Sequence, residues 1–234
     1  MRKLLCVGLL LSSGAWAESL ILTTEEAPPF NYSTDQGKTI VGIATEVVHE
    51  LFKRAEVGYT IKMYPWARAI EMGHYDKNTC VYSTTRTEER EKSFLWVGPI
   101  APNDWVLFAK EDSPITLDSL EAARQYKIGG YRGDAITLYL QSQKFTIDEA
   151  GNDDQSVQKL AAGRIDLWAT GVSAGPFISA KRQVKVKPLL NFKKTELYLA
   201  CNTSVAQATI DKLNATLQAM VKDGAIDTIN KKYQ

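Results

Sequence analysis

Several carriers of catalytic chemistry are missing from this 234-residue chain. It has no G-x-x-x-x-G-K-[ST] loop, no H-E-x-x-H helix and no C-x-x-C pair. The common signatures of nucleotide binding, zinc hydrolysis and dithiol redox therefore have no support. Histidine is scarce, with only His49 and His74, and their spacing to each other and to the cysteines is not that of a metal-ligand set. An excess of charge of one sign is also lacking: 28 basic side chains stand against 27 acidic ones. Binding to nucleic acid or to an anionic membrane normally needs a clustered basic face, so neither is expected. Beyond the N-terminus no apolar run is long enough to cross a bilayer.

What is present begins with that N-terminus, "MRKLLCVGLLLSSGAWAES". Arg2 and Lys3 form a positive start, Leu4 to Leu11 a short apolar run, and Ala15-Trp16-Ala17 a cleavage box. This pattern predicts a signal peptide over 1–17, cleaved after Ala17, and an exported chain in the periplasm. Cleavage removes two basic residues and no acid, leaving the remainder with one net negative charge. Cys6 lies inside the apolar run rather than after a small-residue box, which argues against a lipid anchor there. Cys80 and Cys201 remain in an oxidising compartment, where they form either a disulfide or two separately buried thiols.

Strand-like and helix-like runs alternate along the rest of the chain. Strands are expected at Ser19–Thr24, Tyr59–Tyr64, Cys80–Ser83, Asp104–Ala109 and Ile165–Thr170. Helices are expected at Thr45–Ala55, from Trp66, at Ile115–Tyr126 and at Asp154–Ala162. "KIGGYRGDAITLYLQSQ" (127–143) reads as strand, glycine turn and helix, with Asp134 at the N-cap. Strand–helix–strand repetition implies parallel pairing and an α/β class.

One stretch, "STTRTEEREKSFLWVGPI" (83–100), holds two arginines among three glutamates. It is either a solvated charged segment or a place where one arginine turns inward to hold an anion. Together with "PPFNY", "GKTIVGIATEVVHELFKRA", "KIGGYRGDA", "LAAGRIDL" and "KDGAIDTINKKY", it resembles the family 3 extracellular solute-binding proteins, the periplasmic receptors of polar amino-acid ABC importers. The resemblance spans nearly the whole exported part and keeps the motif order.

It implies a type II periplasmic-binding-protein fold, in which two α/β lobes joined by two crossing strands hold the ligand in the cleft between them. Lobe one is expected at 18–101 plus 201–234 and lobe two at 102–200. It further implies a monomer that captures a small polar carboxylate, an amino acid or a relative, and docks on a membrane permease, with no cofactor, no metal and no catalysis. In this family a hydroxyl-bearing strand runs into T-x-x-R, whose arginine binds the ligand carboxylate. Thr87-Glu88-Glu89-Arg90 matches, so Arg90 is the expected anchor, with Ser83 and Thr85 beside it. The other reading of Arg90 is a salt bridge to Glu91. Arg86 is expected to be solvated or paired with Glu89.

Two family features are absent. The acid that holds an α-ammonium about eight residues after the G-R of "AAGRID" is replaced by Thr170-Gly171, and the aromatic before "PPF" by Ala27. Asp134, or Glu25 or Glu26 (of the two, Glu26 first), can supply the missing anion, and Trp66 the missing wall. Trp66 can equally be a core residue, and Asp134 a plain N-cap. Cys80 and Cys201, at the start of the Ser83 strand and after the returning strand, would then meet near the hinge. Two further functions stay open on the same scaffold: a periplasmic enzyme of the cyclohexadienyl dehydratase type, and a sensory receptor.

Overall fold

The computed structural model describes residues 19–35 and 38–233. The expected signal segment 1–17 and its cleavage site lie outside them.

Strand β1 (Leu20–Thr24) is followed by a small hairpin of β2 (Tyr32–Thr34) and β3 (Thr39–Val41). Helix α1 (Ile43–Ala55) comes next, and its stripe Val47, Val48, Leu51, Phe52 and Ala55 is fully buried, as the 3.6-residue periodicity requires. Strand β4 (Tyr59–Met63), helix α2 (Trp66–Tyr75) and strand β5 (Thr79–Thr85) follow. Strand β6 (Leu95–Pro102) carries Pro99 and Pro102 on the sheet edge, the one place where a missing N–H does not break a ladder on both sides.

The second half holds β7 (Trp105–Lys110), β8 (Ile128–Tyr131), α3 (Ala135–Ser142), β9 (Ile147–Ala150), α4 (Asp153–Ala161), β10 (Leu167–Gly171), α5 (Ala174–Lys181) and β11 (Val186–Lys193). Strand β12 (Glu196–Cys201) and helices α6 (Gln207–Lys222) and α7 (Ala225–Asn230) complete the chain. The helix expected at Ile115–Tyr126 is not formed; only Glu121–Gln125 makes a 3₁₀ turn. Ile115 and Leu117, spaced i and i+2, pack on the core from non-helical backbone, so burial overrides the local helical tendency.

The strands form two five-stranded sheets, ordered β4-β1-β5-β12-β6 and β11-β7-β10-β8-β9. Each keeps a parallel set, as strand–helix alternation demands: β4-β1-β5 in one and β10-β8-β9 in the other. The antiparallel members, β6 and β12 in the first sheet and β7 and β11 in the second, flank the two crossings between lobes. Strand pairing corrects one expected boundary. Glu196–Cys201 hydrogen-bonds in the first sheet, so the second crossing lies at Lys194–Thr195 rather than after residue 200. It runs beside the first crossing: Asn103 N donates to Thr195 O (2.8 Å) and Thr195 Oγ1 to Asn103 O (2.5 Å).

Cys80 and Cys201 face each other across β5 and β12 and are joined by a disulfide, with Cα atoms 3.9 Å apart. Along β5, Cys80 and Tyr82 enter the main lobe-one core, while Val81 enters a smaller cluster with Trp66, Ala69, Phe94 and Trp96 on the other face. Lobe two buries both faces of its sheet, one around Trp105 and Leu140, the other around Phe108 and Trp168.

Candidate functional site

The carboxyl ends of strands from both lobes converge on one cavity. Lobe one supplies Glu25, Trp66, Ser83, Thr85 and Arg90 to its lining, and lobe two Tyr131, Asp134, Asp153, Thr170 and Gly171. The lobes touch across it, and about 60 Å³ is left for the centre of a water-sized sphere. That admits a few waters or the polar core of a small solute.

Arg90 stands just beyond β5. Its Nη1 donates to Thr85 O (3.2 Å) and its Nη2 crosses the cleft to Gly133 O (3.3 Å). The guanidinium lies 5.4 Å from the centre of the Trp66 ring. Among the described residues it has no ion pair. Burial lowers its pKa, with Asp134, Tyr131, Glu89 and Glu25 opposing. The salt bridge to Glu91 that would have drawn Arg90 outward is taken by Arg86, which binds Glu91 through Nε (2.7 Å) and Nη2 (2.5 Å) and lies 5.5 Å from the Trp96 and Tyr198 rings. Arg86 is thus paired, but with Glu91 rather than Glu89.

Ser83 sits in a bulge. Pairing between β5 and β12 jumps from Val81–Ala200 to Thr84–Tyr198, and Ser83 takes φ 60°. Left-handed backbone in a non-glycine residue costs of order 1–3 kcal/mol and persists mostly at functional positions. Its hydroxyl lines the cleft and donates to Asn31 Oδ1, and Asn31 Nδ2 holds Glu25 O (2.5 Å). Thr85 is buried and lines the same wall. Trp66 opens α2; it is buried, and its Nε1 donates across the cleft to Gly133 O (2.9 Å). The Gly133 carbonyl reaches both partners because the residue turns at φ 74°, a conformation glycine adopts without penalty. Gly129 and Gly130 serve packing instead: a Cβ on either would come within 2.3 Å of Ile165 or Thr137.

Asp134 caps α3, accepting from Ile136 N (3.0 Å), and also lines the cleft. Burial raises its pKa, against the pull of Arg90. Glu26 also lines the cavity. It is exposed, and its carboxylate accepts from Ser33 N (3.0 Å) and Ser33 Oγ (2.9 Å), fixing the β2 hairpin. Its neighbour Glu25 is the inward acid: Oε1 accepts from Tyr131 OH (2.9 Å) on the opposite lobe. Burial pushes the Glu25 carboxyl up to about 8, with Asp134 and Asp153 adding to the rise.

Sequence reasoning missed Tyr131 and Asp153. Asp153 is the first residue of α4, yet Asn152 is the cap, accepting from Gln155 N (3.0 Å). The Asp153 carboxylate instead accepts from Trp168 Nε1 (2.8 Å) and Thr170 Oγ1 (2.8 Å). Burial raises it to about 7, helped by Asp134. The available signal was the run Asn152-Asp153-Asp154, which has one acid more than a helix start needs.

One cation, hydroxyls and several acids, gathered from two lobes, describe a pocket for a small polar solute. Residues 20–234 match the profile of the bacterial extracellular solute-binding proteins, family 3. A search of curated protein sequences found no match. Among solved structures, a histidine kinase sensor domain with similarity to periplasmic binding proteins aligns with TM-score 0.84 at 17% identity, covering 92% of this chain and 95% of that one. The arginine-, lysine-, histidine-binding protein ArtJ of the thermophilic bacterium Geobacillus stearothermophilus aligns with TM-score 0.81 at 19% identity, covering 92% and 94%. The substrate binding protein of an amino acid ABC transporter aligns with TM-score 0.79 at 19% identity, covering 92% and 98%. At such identities the likeness speaks to the fold alone, which is the two-lobed periplasmic-binding-protein fold. The chain belongs to the family 3 bacterial extracellular solute-binding proteins.

Proposed function

We propose that the chain is an exported receptor that captures a small amino acid or close relative in the interlobe cleft and presents it to the permease of an ABC importer. The observation that carries this reading is Arg90: a buried guanidinium in the cleft, without an ion pair among the described residues. Its planar fork suits a carboxylate, and a buried charge of this kind calls for a partner. Thr85 and Ser83 flank it on the same wall, Trp66 closes one side, and Asp134, Glu25 and Asp153 can face an ammonium.

Binding works by closure. A ligand that touches both lobes binds the closed state better and shifts the population towards it. Tyr131–Glu25, Trp66–Gly133 and Arg90–Gly133 are contacts of the closed state that a ligand would reinforce. The neighbours include a binding protein of an amino-acid transporter, which supports the solute class, and a kinase sensor domain, which leaves a signalling partner as a second outlet for the same closure. Calorimetric titration of the purified protein with amino acids tests the reading. Binding that is lost in Arg90→Ala supports it, and unchanged affinity in that variant refutes it.

An enzymatic reading has one observation in its favour. A carboxyl held up at about 8, as Glu25 is, keeps its proton at neutral pH and is suited to act as a general acid. Turnover of a prephenate-like substrate, lost in Glu25→Gln, would favour it over simple capture.

A further inference from the structure

The charges of the cleft do not balance. Apart from Glu26, which is tied to Ser33, and Glu25, which burial keeps protonated at neutral pH, the acids lining it are Asp134 and Asp153, and among the described residues the one base lining it is Arg90, which already bears on Asp134. An ordinary zwitterionic amino acid adds no net charge, so it would leave the surplus of acid as it was. Taking charge out of water without compensation is expensive, and a closed cleft offers little water to compensate.

The surplus is greatest at Asp153. Arg90 bears on Asp134 and on Glu25, whereas the charged groups that weigh most on Asp153 are Asp134 and Asp154, both negative. Asp153 is also not needed as a cap, since Asn152 fills that role. Its side chain is turned away from the helix end and held in place by Trp168 and Thr170. The Thr170 hydroxyl thus fixes, inside the cleft, an acid carried by a neighbouring element. A second observation comes from Asn103, which lines the same cavity. Its Oδ1 is sealed from solvent and accepts no hydrogen bond among the described residues. The cleft is therefore over-supplied with acceptors as well as with negative charge, and its natural complement is a donor-rich cation.

Building on the reading of the cleft as an amino-acid site, we propose that the ligand carries a net positive charge, with its extra cationic nitrogen held by Asp153, and that Thr170 and Trp168 position that carboxylate. The class implied is an amino acid with an ammonium or guanidinium side chain.

The test is calorimetric titration of the full exported chain with L-arginine, L-lysine, L-glutamine and L-glutamate, repeated for Asp153→Asn and Thr170→Val. Arginine or lysine should bind roughly tenfold or more tightly than glutamine, and glutamate least. Asp153→Asn should cut the cation-over-glutamine ratio by roughly tenfold or more, and Thr170→Val should cut it by less, in the same direction. Thr170→Val keeps the carboxylate and serves as the deciding variant if Asp153→Asn does not fold. Glutamine or glutamate binding as tightly as arginine and lysine would overturn the proposal while leaving the amino-acid reading intact. So would an unchanged ratio in the variants. Failure of all four to bind would remove the amino-acid reading and this proposal with it.

Discussion

Glu25→Gln is the perturbation whose size can be worked from the structure. Glu25 reaches the cleft from lobe one and is covered by lobe two, whose Tyr131 donates to it. The charged and titratable groups around it are Tyr131, Asp134, Asp153 and Arg90. Burial and the two aspartates raise its pKa from 4.5 to about 8, against Tyr131 and Arg90. Opening the cleft would return the carboxyl to water and towards its ordinary value, so the shift belongs to the closed form. A raised pKa means that the closed form binds the proton more tightly. Closure is therefore fully favoured below about pH 4.5, weakens as pH rises to about 8, and is flat above that. The full shift corresponds to just under ~5 kcal/mol at 1.36 kcal/mol per unit. The side chain keeps some exposure, so about 1–3 kcal/mol is the expected effect. Gln keeps the acceptor for Tyr131 and removes the titration. At pH 8.5 the unliganded Gln variant should be more closed by small-angle scattering and melt roughly 2–10 °C higher than wild type, and at pH 4.5 the two should coincide. Asp153, raised to about 7, slopes the same way in both proteins, and because its charge is coupled to Glu25 it slopes less in the Gln variant, which adds to the difference. Parallel pH curves for the two proteins would refute the argument.

Three other perturbations have definite outcomes. Arg90→Ala should weaken amino-acid binding by about 2–5 kcal/mol by calorimetry while leaving the far-ultraviolet dichroism unchanged. Replacing Cys80 and Cys201 together with serine opens a link between residues 121 apart, and should lower the unfolding free energy in urea by about 2–4 kcal/mol with little change in affinity. Trp66→Phe keeps most of the wall but loses the bond to Gly133 O across the cleft, and should weaken ligand binding by about 0.5–1.5 kcal/mol through easier opening, seen as a faster off-rate.

Much of the fold was readable because its parts obey local periodicity. The α1 stripe and the buried parallel strands are apolar where a core demands it, and their repetition names the class. The failures share a cause. Strand β6, with Gly98-Pro99 and Pro102, carries no strand pattern of its own, and its place at a sheet edge is what lets it pair. The 115–126 segment looks like a helix because its polar residues fit one, yet its apolar residues find the lobe-two core without it. Strand β12, by contrast, was read as the strand that returns to lobe one because it has no local partner, and it does pair between β5 and β6.

The site divides in the same way. Arg90 was legible because a family pattern marks it, and the choice between it and Arg86 turns on which of them Glu91 takes, a local contact. The choice between Glu25 and Glu26 turns on parity. Thr23 directs its hydroxyl to Ala69 O on α2, and two residues on, Glu25 lies on that same side beside Trp66, whereas Glu26 turns to the hairpin. That argument needs to know which face of β1 meets α2, which the residues of β1 alone do not say. Asp153 is less accessible still, because its role depends on Trp168 and Thr170 from a strand that pairs beside it only in the fold. The net charge of the chain is close to zero and hides all of this. Charge counts in proportion to how little water surrounds it, so a few acids enclosed with one arginine set the electrostatics of the cleft, while most of the remaining charges face solvent and are screened. The charge of the cleft is a property of that small enclosed set, and it becomes visible only once two distant stretches of chain have closed over it.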